Sequence, residues 1–142
     1  MSKKKIKPRI LVVDDDPDMR IFFSALLKTG GFAPIVAKNG DEGIEKLKTQ
    51  QPVFIIIDVP MPDNGGMKMY QYLKQDKKLS HIPVIMVSSI DQQTFSLYQK
   101  TKGIRLGQEI DNPEAFFHKP PEASEILDLI KATLSRSIRH DE

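Results

Sequence analysis

Ile10-Leu11-Val12-Val13-Asp14-Asp15-Asp16-Pro17 is the stretch whose reading decides the fold. A short unbroken apolar run rich in β-branched residues suits a strand buried on both faces of a parallel sheet. Aspartates follow at once, and Asp16 is placed to cap a helix whose first turn accepts Pro17. Beyond it, Met19, Phe22, Phe23, Leu26 and Leu27 keep the spacing of an amphipathic helix, and Gly30-Gly31 can end it.

Outward from this unit the same alternation repeats. Residues 53–57 (Val-Phe-Ile-Ile-Ile) and 84–87 (Val-Ile-Met-Val) read as buried strands. Residues 33–37 are a weaker candidate, because Pro34 lies inside them, and residues 115–118 are a short one. Helical spacing appears over residues 41–48, 67–74 and 124–138, with a further candidate helix at 92–100 and a loop at 101–113. Strand and helix alternating about five times predict an α/β fold with a parallel sheet and helices on both faces.

Bulk properties narrow the function. With 142 residues the chain suits one domain. It has no cysteine, which excludes disulfide frameworks, thiolate nucleophiles and cysteine zinc sites. The net charge is +2, yet Lys3, Lys4, Lys5, Lys7 and Arg9 supply five positive charges; taking those five away leaves −3. The body is thus mildly acidic, and residues 1–8 read as a basic, disordered leader rather than an arm for nucleic acid or anionic membrane. No apolar run approaches the roughly 20 residues that span a bilayer, and the run after the leader is too short for a signal-peptide core. A cytoplasmic protein that binds neither nucleic acid nor membrane is expected.

In a doubly wound sheet, ligands bind at the carboxyl ends of the strands. Here those ends carry Asp14-Asp15-Asp16, Asp58, Ser88-Ser89 and Lys119-Pro120. Asp14, Asp15 and Asp58 would put about −3 in one cleft, which calls for a cation or raised pKa values. A hard divalent cation with oxygen ligands, Mg²⁺ where phosphate is handled, meets that need. An aspartate can act as a nucleophile and form an acyl phosphate. Asp16 reads as a cap rather than a ligand, His118 as a polar strand residue, and His81 and His140 as solvated.

The residues 11–17, Ile57-Asp58-Val59-Pro60-Met61-Pro62 with Gly66, Val87-Ser88-Ser89 and His118-Lys119-Pro120 resemble the motifs of response-regulator receiver domains, over nearly the whole chain. The resemblance implies a single flavodoxin-like (CheY-like) domain over residues 9–137, with a tail at 138–142 and a five-stranded parallel sheet in the order 2-1-3-4-5. It implies that Asp58 accepts a phosphoryl group from a histidine kinase or phosphotransfer protein. It implies Mg²⁺ held by Asp15, Asp58 and the backbone carbonyl of Pro60, with Asp14 acting through water. Ser88 would be the switch hydroxyl, Lys119 the partner of the carboxylate or phosphoryl group, and Phe116 the rotating aromatic. The domain would stand alone, as a monomer or a phosphorylation-dependent dimer, switching a downstream protein target, and would not be an enzyme beyond its own phosphorylation and dephosphorylation.

The chain departs from the family pattern at Pro60, where a variable side chain is usual, at Ser89, where a very small residue is usual, and at Phe116, which lacks tyrosine's hydroxyl. The segment between Ser88 and Lys119 is longer than usual. Two other readings compete. One is a receiver-like interaction module that cycles no phosphate. The other is a haloacid-dehalogenase-type phosphatase with Asp14 as nucleophile and Asp16 as acid/base.

Overall fold

A computed structural model describes residues 7–59, 65–88, 115–118 and 123–140. The candidate helix at 92–100, the loop at 101–113, Pro60, Ser89 and Lys119 lie outside the described residues. The order is β1 (Arg9–Val13), α1 (Pro17–Thr29), β2 (Ala33–Ala37), α2 (Gly40–Gln50), β3 (Phe54–Val59), α3 (Gly65–Gln75), a 3-10 turn (Leu79–His81), β4 (Val84–Ser88), β5 (Ala115–His118) and α4 (Ala123–His140). All strand pairs are parallel, and the sheet runs β2-β1-β3-β4-β5. This is the expected doubly wound order.

The unbroken apolar runs follow from the period of two along a strand. Leu11, Val13, Ile55, Ile57 and Met86 face one side, where they pack with Leu47 of α2 and Met69, Tyr70 and Leu73 of α3. Ile10, Val12, Phe54, Ile56, Ile85 and Val87 face the other, against Phe23 and Leu27 of α1 and Ile126 and Ile130 of α4. Every strand residue named here is fully buried. Each such side chain stabilises the fold by about 1.5–3 kcal/mol relative to exposure. The two clusters sandwich the sheet and fix its register, because a one-residue slip would exchange every side chain between them.

Pro34 is compatible with β2 because β2 is an edge strand, where a missing N–H need not break a ladder on both sides. The same edge position explains why most of β2 is only partly buried. The caps are local chemistry. Asp16 caps α1 by accepting from the Asp18 amide at 2.9 Å, with Pro17 in the first turn. At the other end the Gly30 amide donates to the Leu26 carbonyl at 3.1 Å. Gly31 then takes a positive φ of 89°, which a side chain would resist, and turns the chain into β2.

Candidate functional site

In the observed order, β1 is followed by β2 on one side while β3 lies on the other. The connections after β1 and β3 therefore diverge and open a crevice at their carboxyl ends. Val13 pairs with Ile57, so the residues that follow, Asp14 and Asp58, stand side by side at that crevice.

Asp14 is held from several directions. Its amide donates to the Ala37 carbonyl at 3.0 Å. Its Oδ1 accepts from the Asp16 amide at 2.9 Å, closing a tight turn. Its own carbonyl accepts from Arg20 Nη1 at 2.8 Å. The side chain is 1% exposed, and that of Asp58 is 3% exposed. Asp15, next along the turn, is exposed. One carboxylate oxygen from each of Asp14, Asp15 and Asp58 lies within 4.8 Å of the others. The three expected acidic residues are thus brought together.

The electrostatics of such a cluster are one-sided. Two unit charges at that separation repel by about 3 kcal/mol at an effective dielectric of about 20. Two of the three groups are also largely removed from water, which penalises their charged forms. A divalent cation reverses the sign of these terms. The donor set is all oxygen, with neither imidazole nor thiolate, and fits a hard cation such as Mg²⁺ or Ca²⁺.

The other expected residues fall as follows. Ser88 is the last residue of β4 and pairs with Val59, so its backbone lies beside the end of β3. Phe116 lies in β5 beside Met86, and His118 ends β5 beside Ser88. Lys119 would follow directly, and it and Pro60 are outside the described residues. Asp16 is a cap, as its place before Pro17 suggested, and is not among the clustered carboxylates. His81 is exposed. The contact from Arg20 was not anticipated. Its only trace in the sequence is a basic residue early in the helix that follows an acidic run, where it can reach back over the turn.

Comparisons with known proteins agree with this geometry. The family model for the response regulator receiver domain matches residues 10–131. PilH of Pseudomonas aeruginosa is 31% identical over 127 residues, covering 89% of this chain and 98% of PilH. The polar-differentiation response regulator DivK of Brucella anthropi is 29% identical over 90% of this chain and 96% of its own. A crystal structure of a CheY-like response regulator receiver domain protein from Methanospirillum hungatei superposes with a TM-score of 0.76 at 21% identity, over 95% of this chain and 99% of the other. At that identity the likeness speaks for the fold. Among the described residues no helix is long and apolar enough to cross a membrane. With motifs, strand order, acidic crevice and family model in agreement, this chain belongs to the response regulator receiver domain family.

Proposed function

We propose that this chain is a phosphoacceptor switch in which Asp58 takes a phosphoryl group from a phosphohistidine on a sensor kinase or phosphotransfer protein. The observation that carries this reading is the meeting of two buried carboxylates, Asp14 and Asp58, with the exposed Asp15 at one crevice. Structural carboxylates are seldom buried together without a cation to offset them.

A carboxylate oxygen of Asp58 attacks phosphorus in line. The phosphorus–nitrogen bond of the donor breaks, and the imidazole leaves with the bonding electrons. Asp15, Asp58 and the Pro60 carbonyl would hold Mg²⁺, with Asp14 acting through water, and the bound cation would supply charge neutralisation for the phosphoryl oxygens. Asp15, the exposed member, is open to a cation arriving from solvent. Asp58 on β3, and Asp14 directly after the adjacent β1, form the buried floor of the site. Ser88 donates a hydrogen bond to a phosphoryl oxygen and Lys119 adds a positive charge. Movement of both toward the new anion, with Phe116 turning, biases a two-state equilibrium that changes partner binding. Hydrolysis of the acyl phosphate resets it.

The phosphatase reading needs Asp16 beside Asp14 in the crevice as acid/base, but Asp16 caps α1 and it is Asp58 that joins Asp14 and Asp15 there. The test is intact mass spectrometry after incubation with acetyl phosphate and Mg²⁺. The expected result is a gain of one phosphoryl group that disappears with EDTA and in Asp58→Asn. A gain that persists in Asp58→Asn sinks the assignment, and no gain in the wild type favours the interaction-module reading.

A further inference from the structure

Arg20 touches the acidic turn at both ends. Its backbone amide donates to the Asp16 carbonyl at 3.1 Å, the first hydrogen bond of α1. Its guanidinium reaches back to the Asp14 carbonyl at 2.8 Å and is half-buried there. Asp14 lies just past the last paired residue of β1, since the register with β2 closes at Val13 and Ala37. The guanidinium therefore holds a carbonyl at the point where the chain leaves the sheet. A hydrogen bond from a permanent cation is among the stronger kinds, and the planar fork restricts the geometry it accepts.

That carbonyl belongs to the peptide joining Asp14 to Asp15. With the Asp14 amide held by the Ala37 carbonyl, fixing that plane restrains ψ of Asp14 and places the Cα of Asp15, from which φ of Asp15 then aims its side chain. Asp14 has a second restraint in the Asp16 amide. The side chain of Asp15 is exposed, and its aim depends more on its backbone.

We propose that Arg20 is a positioning residue for the cation site: by holding the Asp14 carbonyl it sets the aim of the Asp14 and Asp15 carboxylates into the crevice. This rests on the reading of Asp14, Asp15 and Asp58 as that site. The proposal runs against the simplest electrostatic expectation. A positive charge beside a cation site weakens cation binding, so removing it should tighten binding if charge were its whole effect. If positioning dominates, removal loosens binding.

The test is calorimetric titration of the full chain with MgCl₂ at constant ionic strength, for wild type, Arg20→Met, Arg20→Gln and Asp15→Asn. Melting curves followed by circular dichroism show which variants are folded at the titration temperature. In each folded Arg20 variant the Kd for Mg²⁺ is expected to rise about tenfold, the low end of what losing a group that orients a metal ligand costs. An unchanged Kd with a lowered melting temperature makes Arg20 merely structural and overturns the proposal. A lowered Kd makes its charge the dominant effect and overturns it too, as does failure of both Arg20 variants to fold. If wild type and Asp15→Asn bind Mg²⁺ equally or not at all, the cation-site reading itself falls, and the role of Arg20 falls with it.

Discussion

Two neighbouring turns leave the sheet at the same edge, one from β1 into α1 and one from β2 into α2. Both cap their helix with a short polar side chain. Asp16 accepts from the Asp18 amide at 2.9 Å, and Asn39 accepts from the Glu42 amide at 2.8 Å. Here the likeness ends. The first turn sinks a carboxylate, Asp14, beside a second, Asp58. The second leaves Lys38 and Asn39 exposed and then sets the backbone of Gly40 against the start of α3. Capping serves helix stability at both places and says nothing of function. A buried charge costs several kcal/mol unless something compensates it, and that cost marks the first turn as the site.

The comparison can be broken at several points. The largest effect is expected in the turn without chemistry. A Cβ at Gly40 would collide with the backbone carbonyl of Gly65. Because backbone cannot swing aside like a side chain, Gly40→Ala is expected to destabilise by about 1–3 kcal/mol or somewhat more, read by urea denaturation. A neutral outcome would mean that α2 and α3 are not held together at that point.

Next comes the turn with chemistry. Mg²⁺ at about ten times its Kd should stabilise the wild type by about 1.4 kcal/mol through mass action. Asp15→Asn should lose most of that gain, whereas Asn39→Ala should keep it. Thermal melts with MgCl₂ or EDTA decide the matter, and equal gains in the two variants would erase the distinction between the turns.

The smallest effects are those of the caps. Asn39→Ala and Asp16→Ala should each cost about 1 kcal/mol, as loss of a capping side chain does. Asp16→Ala should shift the Kd for Mg²⁺ by less than about threefold, the size of a remote-charge effect. A loss of Mg²⁺ binding as deep as that of Asp15→Asn would make Asp16 a ligand.

Much of this arrangement is legible in the sequence, for reasons visible residue by residue. Strands buried on both faces leave unbroken runs such as Phe54-Ile55-Ile56-Ile57, and the strand ends then identify Asp14 and Asp58 as neighbours. Asp16-Pro17 and Gly30-Gly31 mark both ends of α1. Less legible is β2, where Pro34 argues against a strand until its edge position is known. The end of α2 is not legible, because it falls on Gln51 in a left-handed conformation, φ 51°, where glycine is the usual signal. The contact of Gly40 with Gly65 is backbone against backbone across two helices and leaves no side-chain pattern to find. Arg20 is invisible for a related reason, since its target is a main-chain carbonyl that any residue at position 14 would present.

The most direct test of the central claim is to locate the acyl phosphate. After phosphorylation with acetyl phosphate and Mg²⁺, borohydride reduces an aspartyl phosphate to homoserine, and peptide mass spectrometry reads its position. Homoserine at position 58 alone is expected. Homoserine at position 14, or at neither position in a sample that gained phosphoryl mass, would contradict the account.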